Sequence, residues 1–366
     1  MIFEVEREKL LNAVTNLSRI VTSKTSLPVL EGILISAEQG KLTLISYNLE
    51  MGIRKEIYSN TKQSGDIVIP ARFFADILRR MNGVLVEVEC DERLMCHIRC
   101  GGAVFDIMGM AASDYPELPS FTDGEKITIP PEILKDMVRG TLFAVAQNEG
   151  TRPTLTGINI SVEDKILQFV AIDGYRLAIR RERVSTENNV SFIMPGKAIA
   201  EVIKLINDDS EDIDINIGNK LVAFTVDGYT FISRVFEGDF VNYKKTIPLE
   251  YKQRVFINTR ELIDVIERIS IIISDSFSTP VRCIFNEEKI LFSCSTAVGR
   301  ATEEYAISLE GEPFEIGLNS RYLLEALKAT EEDRVEILFN GANSGVVINP
   351  TEHDDYKYMI MPMRLK

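Results

Sequence analysis

The chain has 366 residues, 45% of them hydrophobic and 26% charged, and carries a net charge of −14. That balance excludes a disordered chain, and the acidic total excludes simple adhesion to nucleic acid through an overall basic surface. No apolar run approaches the roughly 18 residues of a membrane span, no early segment has signal-peptide flanks, and the five cysteines follow no regular framework, so a cytoplasmic protein with reduced thiols and no membrane partner is expected.

In chain order, the first periodic segment is 6–21, where Leu10, Leu11, Val14, Leu17 and Val21 fall at helical spacing. Residues 32–56 then alternate like a hairpin, with Leu42 and Leu44 on one face. A second amphipathic helix spans 70–81, opened by Pro70, with Phe74, Ile77, Leu78 and Met81 on one side. Strand-like residues 84–90 and 94–100 lead to a turn-rich linker at 113–124. The series then recurs. A helix over 131–147 carries Ile133, Leu134, Met137, Val138 and Leu142, and 157–183 alternates through Leu167 and Phe169. Next come a helix over 195–206, strands Ile213–Ile217 and Leu221–Val226, and a linker at 238–250. The last round has a helix behind Asn258 or Thr259, both good N-caps, with Leu262, Val265, Ile266 and Ile269. It continues with alternating residues 282–305, where Leu291 extends the register, and a helix over 319–330.

The rounds align residue by residue. Arg72, Lys197 and Arg321 stand 125 and 124 apart, as do Asp76, Glu201 and Glu325, then Leu78, Ile203 and Leu327, then Arg79, Lys204 and Lys328. Asp114 and Tyr115 match Asp239 and Phe240. The chain is a triplication, with domains expected at 1–122, 123–250 and 251–366. Each is an α+β unit of helix, strands, helix, strands, the strands forming antiparallel sheets. The six helices together are net positive within an acidic chain. Two readings stand: solvated helix faces, or one helix-lined surface that meets a polyanion while the rest stays acidic.

Catalytic signatures are absent. There is no Gly-rich phosphate loop, no His-Glu-x-x-His and no Gly-x-Ser-x-Gly, and the histidines are His97 and His353. Cys90, Cys96, His97 and Cys100 lie within eleven residues and raise a zinc site. Strand parity puts Cys90 with Val84, Val86 and Val88, and Cys96 and Cys100 with Leu94 and Ile98, while His97 points the other way. Core thiols are the simpler reading, so no metal and no cofactor are expected. The run Asp208 to Asp212 reads as a solvated turn. Asp173 and Arg176 offer a carboxylate–arginine pair that a small-ligand enzyme would use. Asn48 takes the place of Asp173 in the first repeat, which favours a tight turn, and no catalytic residue is assigned.

Six stretches carry a resemblance. They are Phe3-x-Val5-Glu6-Arg7-Glu8-x-Leu10-Leu11, Leu27-Pro28-Val29-Leu30, Leu49-Glu50-Met51, Pro70-Ala71-Arg72, Asp173-Gly174-x-Arg176-Leu177 and the ending Met361-Pro362-Met363-Arg364-Leu365. In order and over essentially the full length, they resemble the bacterial sliding clamps, the beta subunits of DNA polymerase III. The resemblance implies three clamp-fold domains per subunit and a head-to-tail homodimer closed into a ring. Helices would face duplex DNA without sequence preference, and sheets would lie outside. It implies a non-catalytic processivity factor, with a diverged scaffold that no longer encircles DNA as the alternative. The implied DNA-facing residues are Lys24, Arg72, Arg152 and Lys197, to which the repeat register adds Arg79 and Lys204.

The resemblance also implies a pocket for short hydrophobic peptides of the replicative DNA polymerase, the clamp loader and repair proteins. Its positions here are Leu155, Ile172, Gly174, Tyr175, Arg176, Leu177, Val241, Lys245, Phe277, Asn319, Tyr322, Met361, Pro362, Met363, Arg364 and Leu365. Taken alone, the terminal run reads as a last core strand. Pro153 and Thr154 stand where many members carry aromatics, Tyr175 where histidine is common and Val241 where proline is common. For ring closure the implied apolar contacts are Phe105, Ile107, Ile271 and Ile272, with core burial the rival reading for the last two.

Overall fold

The computed structural model describes residues 1–22, 25–121, 124–147, 152–275 and 278–365. Each repeat opens on a short strand that helical periodicity leaves unmarked. Ile2–Glu6, Glu125–Ile129 and Gln253–Asn258 lead into helices α1 (Arg7–Leu17), α3 (Pro131–Arg139) and α5 (Thr259–Ser270). Three strands follow each of these helices. The second helices are α2 (Ala71–Arg80), α4 (Gly196–Val202) and α6 (Ser320–Ala329), each preceded and followed by further strands.

Local chemistry sets the ends. Asn258 caps α5 as predicted, its side chain accepting from the Glu261 N–H at 3.0 Å. α3 stops at Arg139, short of the expected 147. The Gly140 N–H closes on the Asp136 carbonyl at 2.9 Å, and the Thr141 hydroxyl turns back to the Met137 carbonyl at 2.7 Å. A 3-10 turn, Leu142–Ala144, carries the chain onward. α4 likewise tightens into the 3-10 turn Ile203–Leu205. In the third repeat the hairpin register shifts the expected residue by one. Counted from the hairpin ends Ile172–Leu177 and Ser295–Arg300, the counterpart of Leu167 is Ile290, which is buried, while Leu291 is half-buried. A one-residue shift reverses the face.

The chain forms two compact units, Met1–Pro131 with Lys197–Val235, and Glu132–Gly196 with Phe236–Lys366, so the second repeat contributes to both. The first unit has a five-stranded sheet, ordered Asn60–Gln63, Ile2–Glu6, Leu85–Cys90, Met95–Cys100, Ala103–Met108. Its eight-stranded sheet runs Glu125–Ile129, Ile213–Ile217, Leu221–Val226, Tyr229–Arg234, Met51–Tyr58, Lys41–Tyr47, Gly32–Glu38, Gly65–Pro70. α1 packs on α2 and on the strands Lys41–Tyr47 and Met51–Tyr58. Phe3, Leu10, Leu17 and Phe74 are fully buried there. Also on the eight-stranded sheet, Tyr115 joins Val29, Leu30, Tyr47 and Val68 in an apolar cluster.

The second unit has a nine-stranded sheet, ordered Val190–Pro195, Gly157–Glu163, Ile166–Ile172, Arg176–Arg183, Tyr356–Ile360, Val346–Pro350, Arg334–Phe339, Gln253–Asn258, Leu309–Glu310. Its four-stranded sheet runs Arg300–Ala306, Lys289–Ser295, Val281–Phe285, Phe314–Leu318. α5 packs on α6.

Both large sheets are joined across a repeat boundary in the same way. Tyr229–Arg234 pairs antiparallel with Met51–Tyr58, setting Phe231 opposite Ile53. Tyr356–Ile360 pairs antiparallel with Arg176–Arg183, setting Tyr358 opposite Ala178. By hairpin register, Ala103–Met108 is the equivalent of the first partner in each joint and Arg300–Ala306 of the second. Those two strands end their sheets with one neighbour each.

Candidate functional site

In the second unit, strand Arg176–Arg183 starts behind a turn that Asp173 builds. Its Oδ1 accepts from the Tyr175 and Arg176 N–H groups at 2.9 and 3.0 Å, with Gly174 at φ +93°. The first repeat makes the same turn at Asn48, whose Oδ1 accepts from Glu50 and Met51 at 3.1 and 2.9 Å, with Leu49 at φ +75°. Asp173 differs in having a second oxygen. Its Oδ2 accepts from Arg176 Nε at 3.0 Å. The Arg176 side chain is 4% exposed and also pairs with Glu325 of α6, which accepts from Arg321 Nε at 2.9 Å. The guanidinium lies 4.3 Å from the Tyr322 ring centre and 5.5 Å from that of Phe143. Asp173 and Arg176 are thus engaged in a strut between the turn and α6, as the tight-turn reading expects.

Asn319 caps α6, its side chain accepting from the Tyr322 N–H at 3.1 Å. The C-terminal stretch docks beside this helix start. The Met361 N–H donates to the Tyr175 carbonyl at 2.7 Å and the Met363 N–H to the Gly317 carbonyl at 2.8 Å. A Cβ on residue 317 would sit 2.7 Å from the Met363 carbonyl oxygen, so only glycine permits the approach. Together these contacts gather Tyr175, Arg176, Asn319, Tyr322, Met361, Pro362, Met363 and Arg364 around a cavity of about 650 Å³. Burial and the nearby Asp173 carboxylate push the Tyr322 phenol above its ordinary range. Aromatic and thioether walls with a few fixed polar groups suit an apolar ligand whose backbone still needs orienting.

Other expected pocket residues lie outside this lining. Leu177 is buried with Val170, Tyr243 and Met359, and Ile172 packs against that cluster. Gly174 forms the turn, and Leu365 rests on Gly317. Leu155 and Val241 are half-buried and Lys245 is exposed. Phe277 lies outside the described residues. The lining adds Ala146, Gln147, Asp173 and Arg321. Ala146 and Gln147 follow an irregular 3-10 turn and carry no pattern, whereas Arg321 is marked by the threefold repeat.

Arg72, Arg79, Arg152, Lys197 and Lys204 are all exposed, and Lys24 lies outside the described residues. Arg79 pairs with Asp76 at 2.8 Å and Lys204 with Glu201 at 2.6 Å, the same three-residue step in two repeats. In the third, Lys328 pairs with Glu267 at 2.6 Å. Exposed pairs of this kind are worth about 0–1 kcal/mol, so the cations exchange partners easily. On the edge strand Ala103–Met108, Phe105 is 40% exposed and Ile107 half-buried. Beyond α5, Ile271 is 79% exposed and Ile272 half-buried, which sets Ile271 at the surface and not in a core. Among the described residues no cluster of three metal-ligating side chains occurs, and no helix is long and apolar enough to cross a membrane.

Family comparisons cover nearly the whole chain. Models of the DNA polymerase III beta subunit match it in sequence order: the N-terminal domain over residues 1–119, the central domain over 128–242 and the C-terminal domain over 244–364. The beta sliding clamp of Staphylococcus epidermidis is 32% identical over 376 aligned positions, covering 100% of this chain and 99% of that one. The sliding clamp structure of Bacillus subtilis superposes with a TM-score of 0.96 at 30% identity, and that of Pseudomonas aeruginosa bound to griselimycin with 0.92 at 25%, both covering 100% of each chain. A triplicated antiparallel fold and three consecutive domain matches make this chain a member of the DNA polymerase III beta-subunit family, the beta sliding clamps.

Proposed function

We propose that this chain is a DNA sliding clamp, a processivity factor whose domains, at 1–122, 123–250 and 251–366, close in two copies around duplex DNA. The observation that carries the proposal is the strand joint made twice and left open at both ends. Ala103–Met108 and Arg300–Ala306, each paired on one side only, are the equivalents of strands that join elsewhere. An edge strand with exposed Phe105 invites pairing, and a second copy of this chain offers the complementary edge. Such a contact is head-to-tail, so it must either close into a ring or run on as a filament. Repeating the register a third time sets Phe105 opposite Ala301 of the second copy and Asp106 opposite its Arg300. Ile107, Ile271 and Ile272 would then be covered.

Inside such a ring the exposed cations Arg72, Arg79, Arg152, Lys197 and Lys204 would meet phosphates. Contacts of this kind position DNA, read no bases and are easily screened by salt. Retention comes from topology, which is why an acidic protein can hold DNA without adhering to it. The pocket around Tyr175, Arg176, Tyr322 and Met363 would take short apolar peptides from the replicative polymerase, the clamp loader and repair proteins. The role is non-catalytic, since positioning and tethering require no bond to be broken. The test is retention after loading. The clamp should stay on circular duplex and leave rapidly once the circle is cut, and equal loss from both forms would refute encirclement.

A further inference from the structure

The first unit holds two buried cysteines side by side in one hairpin. Cys90 and Cys96 stand directly opposite each other in the hairpin of Leu85–Cys90 and Met95–Cys100. The Cys90 N–H points away from this hairpin partner, to the Met1 carbonyl on the other side at 2.9 Å, while the next pair bonds through Asp91 N–H and the Met95 carbonyl at 3.0 Å. The cysteines therefore form a non-hydrogen-bonded pair, whose Cα atoms lie roughly 4.5 Å apart, within the span a disulfide bridges. Both side chains project to one face, and the two sulfurs are 2.7 Å apart. Cys90 is 7% exposed and Cys96 not at all. A turn fixes the hairpin end, with Leu94 at φ +64° and Asp91 Oδ1 accepting from the Arg93 and Met95 N–H groups, both at 2.9 Å.

The other cysteines lack such a partner in register. Cys100 faces Ala103, Cys283 faces Phe292 and Cys294 faces Ala301. Burial pushes the Cys283 thiol up, out of the reactive range. The S–H of Cys90 donates to Cys96, and that bond holds the Cys96 thiol below its usual range.

We infer that Cys90 and Cys96 are a reversible redox site, converted to an intrachain disulfide by hydroperoxides and returned to dithiol by small thiols. One sulfur of the pair, as its thiolate, attacks one peroxide oxygen. The O–O bond breaks, hydroxide leaves, and that cysteine becomes a sulfenic acid. The other sulfur then displaces that oxygen, forming S–S as S–O breaks, and the hydroxide released takes its proton. In sum two thiols lose two hydrogens and hydrogen peroxide becomes two waters. No backbone movement is required, because the sulfurs are already adjacent. The bond would sit one strand from the open edge, since Cys96 also faces Ile107 across the sheet. The inference rests on the sheet geometry alone and is independent of how that edge is used.

The test uses the intact native chain. Hydrogen peroxide is added at neutral pH, the reaction is quenched, and remaining thiols are blocked with N-ethylmaleimide in denaturant before peptide mapping. The expected result is a loss of two hydrogens in mass, two blocked cysteines fewer, and one linked peptide joining Cys90 to Cys96, with full recovery after dithiothreitol. Cys283 should stay fully blocked throughout and serves as the internal standard. Five blocked cysteines after oxidant, a link through any other cysteine, or irreversible oxygen addition at Cys90 or Cys96 would overturn the assignment.

Discussion

Replacing Gly317 with alanine tests whether the C-terminal stretch must be docked for the pocket to bind. Gly317 lies in the strand Phe314–Leu318, paired on one side with Val281–Phe285 and bridged on the other to Met363. The new methyl would stand 2.7 Å from the Met363 carbonyl oxygen and 2.8 Å from Leu365 Cδ2. The leucine can rotate away but the backbone oxygen cannot, so the terminal stretch has to shift. Overpacking of this kind costs about 1–3 kcal/mol, and the bond from Met363 N–H adds about 0.5–1.5 kcal/mol if it is lost. A total near 3 kcal/mol lowers the docked-to-undocked ratio by more than about 100-fold. Met361, Pro362, Met363 and Arg364 form one wall, so apparent affinity falls with the docked fraction. Alanine is otherwise favoured over glycine in a strand by about 0.5–1 kcal/mol, so backbone entropy cannot explain a loss. Fluorescence anisotropy with a labelled apolar peptide should show weakened binding, while the melting temperature stays near wild type because the Val281–Phe285 pairing is intact. Unchanged peptide affinity would show that the pocket does not depend on the docked terminus.

Further outcomes follow from single contacts. Arg176→Met strips Asp173 and Glu325 of a 4% exposed partner, and breaking a buried pair of this kind costs about 3–5 kcal/mol. Denaturant unfolding should register most of that, and a loss below about 1 kcal/mol would mean the strut is solvated. Tyr115→Phe removes the hydroxyl that accepts the Tyr47 N–H at 2.9 Å, leaving a buried donor unpaired at a cost of about 1–3 kcal/mol, read as a lower denaturant midpoint. Burial pushes the Tyr356 phenol up to about 12, against about 10 in an unfolded chain. A folded-state value above the unfolded one means its contribution is complete below about pH 10 and is lost as pH rises through about 12. Tyr356→Phe should therefore flatten the fall in stability across that window, and an identical slope would exclude Tyr356 as its source. Phe105→Asp places a charge in the proposed strand joint between copies, and sedimentation should show the dimer dissociating to a monomer that keeps its fold.

Much of this molecule can be read from residue order alone. Spacings of 125 and 124 between Arg72, Lys197 and Arg321 establish the triplication, because helix faces must recur wherever the same core recurs. Strand parity buries Val86, Val88, Cys90, Cys96, Ile98 and Cys100 as expected, but Val84, 77% exposed, precedes the strand Leu85–Cys90 and Leu94 sits half-buried in the turn. The strand Ile2–Glu6 and its two counterparts escape notice, being too short for a periodic signal before a helix that has one. Composition and repeats thus determined the class, the number of repeats and the acidic total charge. Tertiary structure alone decided that Gln147, Arg321 and Met363 share a cavity, that Gly317 must lack a side chain, and that Ala103–Met108 and Arg300–Ala306 each keep one open edge where their equivalents join. Those features depend on backbone hydrogen bonds and close approaches between segments far apart in sequence, and a peptide group carries no residue identity from which such a pairing could be foreseen.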